Sequence, residues 1–301
     1  MWKLMAAGAA VAVAASAWAS AQQAPAVERF AVPGEGSVNS WIVDAPDGLV
    51  LVDAQRDRVA AERLVAWIRA RGRPLVAVLL THAHPDHIGG LDQIRRAFPG
   101  VRVHASPGTA REIATDRMGY QEKTRAIGAV APRAYPPPDA VFAEGATLRV
   151  AGLEVRTREF GAGEASAATA FHLPAQRILF GGDIATTGVE DFLVEGRTGP
   201  WLLQVRALRQ EYPDTRTVYP GHGAPGPLDR LAASTTRTLA TYRRLVAEAG
   251  PVAGVLPPDK VRAVAARVRA ALGERPAVAA IPNLREENVR AVARELANPR
   301  G

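Results

Sequence analysis

Apolar positions along this chain fall into runs with two different periods, and each period predicts a different element. Apolar, β-branched stretches at 36–43 and 48–53, joined by Pro46-Asp47-Gly48, read as two strands around a turn. Val59, Leu64, Trp67 and Ile68 recur at helical spacing and stop before Gly72. Leu75-Val76-Ala77-Val78-Leu79-Leu80 has no polar face at all, which predicts a buried strand. Leu91, Ile94 and Phe98 mark a further helix, and 101–105 reads as a short strand. Ser106-Pro107 opens another helix, with Ser at the N-cap and Pro at the first helical position. Strands are expected at 147–150 and 153–158 around an Ala151-Gly152 hairpin turn, then at 167–173 and 177–180. A helix at 200–208 carries Trp201, Val205 and Leu208 on one face. A short strand at 217–219 and a long helix at 228–247 follow. This alternation of strands and helices predicts an α/β fold.

Two regions depart from that rhythm. The pattern weakens over 117–143, where Pro136-Pro137-Pro138 excludes helix, so this segment and 184–199 are expected to be loops on the substrate side. After Gly250 the strands cease. Val261, Val264, Ala265, Val268 and Leu272 form a helical stripe, and Asn283 and Glu286 resemble a capping pair ahead of a helix at 289–296. The expected division is a main domain over 22–249 and a helical extension over 250–301.

The first residues add an address. Lys3, an apolar run from Leu4 to Trp18, and Ala19-Ser20-Ala21 form the three parts of a secretory leader spanning 1–21. The mature chain is expected to begin near Gln22, to be periplasmic or secreted, and to have no stable membrane insertion once the leader is gone. The chain has no cysteine, which rules out disulfides, thiolate metal ligands and cysteine nucleophiles. Its formal charge of +7 is carried almost wholly by arginines interleaved with Asp and Glu. No basic block stands out, so nucleic acid is not an expected partner and a small-molecule substrate is.

The chemistry is concentrated in His82-Ala83-His84-Pro85-Asp86-His87, directly after the buried strand. Three histidines and a carboxylate in one short loop crowd one another unless a cation holds them, and imidazole and carboxylate are the usual ligands of zinc and its neighbours. Two more candidates end strands: Asp183 in Phe180-Gly181-Gly182-Asp183, and His222 in Tyr219-Pro220-Gly221-His222-Gly223. His104 and His172 lie within expected strands and read as structural.

Together, the HxHxDH stretch, the GGD strand end and the PGHG turn resemble the metallo-β-lactamase superfamily of metallohydrolases. Asn39 and Asp53 also fit, and the likeness runs from about residue 30 to 247. It implies a four-layer αββα sandwich with the active site at one edge between two sheets. It also implies two divalent ions: His82 and His84 at the first, Asp86, His87 and His222 at the second, and Asp183 bridging. A Gly-x-Gly turn that supplies another histidine in the family here reads Gly161-Ala162-Gly163-Glu164. Glu164 either replaces that ligand or stands by as a proton shuttle. As a ligand it makes Mn2+ or Fe2+ acceptable beside the expected Zn2+. The implied activity is hydrolysis of an ester, lactone, thioester or amide by a metal-activated hydroxide that Asp86 orients, with Asp86 also accepting its proton. Asp183 at the bridging position resembles the glyoxalase II-like and lactonase-like branches more than the β-lactamases, and Glu164 departs from the usual β-lactamase ligand set. A β-lactamase, an iron-dependent redox enzyme of the same fold, and a non-catalytic metal-binding protein are the alternatives.

Overall fold

A computed structural model describes residues 25–34 and 36–298, so the expected leader over 1–21 lies outside the described residues. Two sheets organise the chain. The first has six strands in sequence order: β1 (Val27–Phe30), β2 (Ser40–Ala45), β3 (Gly48–Val52), β4 (Leu75–Leu79), β5 (Arg102–Ala105) and β6 (Ala140–Val141). The second has five, ordered β11-β10-β9-β8-β7: β7 (Thr147–Val150), β8 (Leu153–Glu159), β9 (Thr169–Leu173), β10 (Ile178–Gly182) and β11 (Thr217–Pro220). β3, β4 and β5 run parallel, as do β10 and β11.

β3 shows why a run can be apolar at every position. Val50 and Val52 face the other sheet and meet Val155, Phe171 and Phe180. Leu49 and Leu51 face the opposite way, onto Leu64 and Ile68 of α1 (Arg58–Arg69). Alternate side chains of a strand point to opposite faces, so a strand covered on both sides loses its polar face. The second sheet is covered likewise: Ile178 and Phe180 of β10 lie in the inter-sheet core, while Leu179 packs on Leu208 of α6 (Thr198–Glu211) and Leu231 of α7 (Leu228–Ala249). The layers are therefore helix, sheet, sheet, helix, as expected. A further core joins α6 and α7 to the extension, where Val261, Val264 and Val268 of α8 (Pro258–Leu272) and Val289 and Val292 of α9 (Leu284–Ala297) bury against Tyr242 and Leu245. No helix among the described residues is long and apolar enough to cross a membrane.

Local signals held in most places. Ser106 caps the following helix by accepting from Thr109 N, with Pro107 at its first position. Three expectations need correction. Residues 36–39 are not strand, because the chain there turns toward the site and the strand starts at Ser40. Residues 117–143 contain a short helix at Tyr120–Arg125, with Asp116 accepting from the N–H groups of Gln121 and Glu122. Asn283 makes no side-chain cap. It takes a left-handed conformation (φ 57°), and α9 begins at Leu284 rather than 289.

Candidate metal centre

Strand ends bring the site together. β4 runs on into Leu80-Thr81-His82, and a single turn of helix (Pro85–Ile88) follows, with Pro85 at its first position. That turn carries Asp86 and His87 back over the end of β3. In the second sheet, β10 delivers Asp183 and the parallel β11 delivers His222. The loop after β8 delivers Glu164. Parallel neighbours present their C-terminal ends on the same side, so ligands from both sheets meet at one edge. Two glycines permit the approach. Gly182 has φ +50°, and a Cβ there would lie 2.7 Å from Thr81 of the other sheet. A Cβ on Gly221 would lie 2.1 Å from Asp183 Oδ1 and 2.6 Å from His87 Cε1.

Three triads of ligand atoms result: His82, His84 and Glu164; His82, His87 and Asp183; and Asp86, His87 and His222. Asp183 Oδ2 lies between the first and third, 3.9 Å from His82 Nε2, 3.5 Å from His87 Nε2 and 3.3 Å from His222 Nε2. All seven residues expected from the sequence are thus in one cluster. His104 and His172 belong to none of these groups, and His172 instead packs on the Tyr212 ring.

Each imidazole has its outer nitrogen occupied. His87 Nδ1 donates to Asp53 Oδ2 at 2.8 Å, and His222 Nδ1 donates to the Ser37 carbonyl at 2.7 Å. His82 Nδ1 lies 3.0 Å from Thr81 Oγ1, which donates to Asp53. Asp53 therefore orients two ligand rings, one directly and one through Thr81. The inner nitrogens face the cluster. His82 Nε2, His87 Nε2, Glu164 Oε2 and Asp183 Oδ1 are buried without hydrogen-bond partners. Buried polar atoms are rarely left unsatisfied, and an unpartnered nitrogen or oxygen on each of four clustered ligand candidates fits a bound cation. The spacing agrees: tetrahedral zinc with ligands about 2.0–2.1 Å away sets its ligand atoms about 3.3 Å apart. His222 Nε2 to Asp86 Oδ2 is 3.1 Å, His87 Nε2 to Asp86 Oδ2 3.6 Å, His84 Nδ1 to Glu164 Oε1 3.0 Å and His82 Nε2 to Glu164 Oε2 3.6 Å.

The cluster's electrostatics show the same demand for positive charge. Burial disfavours the charged form of every member. Against that burial, Asp183 and Asp86 push the His222 imidazole up to about 10. They also hold His87 well above its usual value. Burial raises the Glu164 carboxyl, although His84 beside it pulls the other way. His82 goes the other way: burial, with His87 and His84 beside it, holds it well below its usual value. The raised imidazoles supply a counter-charge to the carboxylates, a role a metal ion would fill on displacing their protons.

Several contributors carry no sequence signal of their own. Tyr120 and Phe192 set their rings edge-on to His84, 5.3 and 5.4 Å away between centroids. Glu195 reaches His84 Nε2 at 2.9 Å. Asn39, which the family resemblance did single out, donates to the Pro220 and Gly223 carbonyls, both at 2.9 Å, and so anchors the His222 turn.

Fold and site together define a metallohydrolase. The family model described as "Metallo-beta-lactamase superfamily" matches residues 33–222, well over half of the chain. The chain belongs to the metallo-beta-lactamase superfamily and is a metal-dependent hydrolase of it. It is 26% identical over 192 residues to "Metallo-beta-lactamase type 2" of Bacillus cereus, covering 62% of this chain and 68% of that protein. It is 27% identical over 212 residues to a "Hydroxyacylglutathione hydrolase" of Cereibacter sphaeroides, covering 70% of this chain and 66% of that one. A crystal structure of a metallo-beta-lactamase family protein from Thermus thermophilus superposes with a TM-score of 0.64 at 19% identity, over 90% of this chain and 91% of that one. That last likeness concerns the fold alone, and its coverage reaches into the helical extension.

Proposed function

We propose that this chain is an exported two-metal hydrolase acting on an ester, lactone, thioester or amide. The observation that carries the reading is Asp183 Oδ2 lying 3.3–3.9 Å from three imidazole nitrogens that belong to two separate ligand groups. In this reading His82, His84 and Glu164 hold the first ion, and Asp86, His87 and His222 hold the second, with Asp183 shared. The donor set suits Zn2+, and the third carboxylate also accommodates Mn2+ or Fe2+. Bound there, a divalent pair acidifies water and polarises a substrate carbonyl.

The remaining work falls to side chains. Asp53, Thr81 and the Ser37 carbonyl hold three rings with Nε2 inward, so no reorientation is needed during turnover. Asp86 is the most accessible carboxylate of the set, with a quarter of its side chain exposed against 4% for Glu164 and 6% for Asp183. Burial alone would raise its pKa, but His87 and His222 outweigh that and hold it below the usual carboxylate range. It therefore stays ionised, and as the most accessible carboxylate of the set it is the group to orient the nucleophile and accept its proton. Tyr120 and Phe192 shield the first position from bulk water.

Export rests on the leader-like residues 1–21, and places the enzyme in the periplasm or outside the cell. Relatives named as a metallo-beta-lactamase and as a hydroxyacylglutathione hydrolase match at similar identity, so likeness does not choose the substrate. Glu164 in place of a histidine supports the non-β-lactam reading. The test is elemental analysis followed by turnover on an aryl ester, a lactone, a thioester and a β-lactam. Asp86→Ala is expected to lose about 10²–10⁴-fold in rate with the fold retained. A metal-replete wild type that turns over none of the panel overturns the reading.

A further inference from the structure

His84 differs from the other ligand histidines in that carboxylates face both of its ring nitrogens. Nδ1 lies 3.0 Å from Glu164 Oε1 within the ligand cluster. Nε2, on the far side of the ring, lies 2.9 Å from Glu195 Oε1. Glu195 belongs to none of the ligand groups. Its side chain is only 3% exposed, and its other oxygen pairs with Arg197. Burying a carboxylate is costly unless it is hydrogen-bonded and paired. Glu195 meets both conditions, and one of its two partners is a ligand of the first metal position.

Arg197 extends the link. Its Nε donates to the Gly163 carbonyl at 3.1 Å, one residue before Glu164. Gln204 of α6 holds the same turn through the Gly161 carbonyl at 2.8 Å. The Glu195–Arg197 pair thus touches both His84 and the turn that carries Glu164.

The segment carrying this pair is set from the helical extension. Asn288 of α9 accepts from Leu193 N and donates to the Asp191 carbonyl, each at 2.8 Å. Glu295, also of α9, accepts from the backbone N–H groups of Thr198 and Gly199 at 3.0 and 2.8 Å. The loop is therefore fixed on either side of Glu195 by one helix outside the main sandwich.

Resting on the two-metal reading above, we propose that Glu195 is the positioning residue of the first metal site. It holds His84 by the Nε2–H so that Nδ1 faces the ion, and α9 fixes it there through Asn288 and Glu295. A carboxylate accepting from a ligand histidine fixes the tautomer and ring orientation, and losing such a partner typically lowers metal affinity about 10–100-fold.

The test is competition of the full chain, loaded with zinc, against a graded chelator. Glu195→Ala is expected to weaken the first site by about 10–100-fold while the second site, which Glu195 does not touch, stays within about threefold of wild type. Glu195→Gln keeps an acceptor oxygen for Nε2–H and is expected to recover most of the loss. A residue that only braced the loop would shift thermal stability without this separation of the two sites. Where the alanine chain fails to fold, ring-nitrogen NMR of the zinc-loaded wild type decides, with His84 expected to be protonated at Nε2 and not at Nδ1. Unchanged first-site affinity in Glu195→Ala, or His84 unprotonated at Nε2, overturns the inference alone. A wild type that takes up fewer than two equivalents of zinc overturns the two-metal reading as well.

Discussion

In the two-metal reading, Glu164 sets the charge of the first metal position. With it, the cluster presents three carboxylates to two divalent ions, so less positive charge remains on the pair than with an imidazole there. Glu164→Ala is expected to lower first-site affinity and leave the Asp86, His87 and His222 site filled, while Glu164→His is expected to bind both ions and shift preference toward zinc. Metal analysis after dialysis against limiting chelator distinguishes these outcomes, and unchanged stoichiometry in Glu164→Ala would make it a bystander. Gly221 offers a second residue-scale check. An added Cβ would meet Asp183 and His87, so Gly221→Ala is expected to lose metal binding with far-UV circular dichroism preserved. Asp191, outside the ligand groups, gives a pH signature. Burial raises its carboxyl to about 7, Glu190 and the cluster's Asp183 add to the rise, and the bond from Thr186 and the charge of Arg275 oppose it. A carboxyl raised on folding contributes stability at low pH that is lost as pH rises through the folded value. Asp191→Asn cannot ionise, so its melting temperature is expected to fall less than wild type between about pH 5 and about pH 8. At this scale the candidate cluster was legible because clustered histidines at a strand end have few other uses. Glu195, Tyr120 and Phe192 were not, because an isolated Glu or aromatic residue in a loop looks like any other until the chain folds.

Among the elements, those with two covered faces were the easiest to read. Residues 48–52 and 75–79 are apolar throughout because each lies between a helix layer and a sheet, and the structure places strands there. Leu51, fully buried between α1 and its neighbours, is expected to cost about 2–5 kcal/mol when cut to alanine, measured as a lowered denaturant midpoint. β1 escaped notice because Val27-Glu28-Arg29-Phe30 is an edge strand, paired only with β2 and polar at its centre. The helix at Tyr120–Arg125 buries no residue fully, so no apolar period announces it. Asn283 and Glu286 stand at the spacing of a capping box, but the left-handed turn at Asn283 points the side chain elsewhere. Spacing alone does not reveal the backbone conformation that capping requires.

For the whole molecule, the αββα layering followed from the alternation of elements and from the family resemblance, whereas the role of the tail did not. The stripe over 261–272 read as a helix that packs somewhere. It gave no hint that the next helix would hold the loop beside His84. Removing residues 251–301 would strip the cover from Tyr242, Leu245 and Val246 of α7, all now 3% exposed or less. The shortened chain is expected to aggregate or to lose its cooperative melting transition, as size-exclusion chromatography and calorimetry would show.

The ligands come from both sheets. His82 and His87 belong to the first, and Asp183 and His222 to the second. In the two-metal reading, ions shared between them would act as a clasp across the inter-sheet seam, so separating the sheets would mean either tearing the coordination apart or waiting for the ions to leave. The lifetime of the folded protein is then tied to ion release. Its unfolding rate in denaturant is expected to climb with chelator concentration and then level off, at the rate of the bare chain.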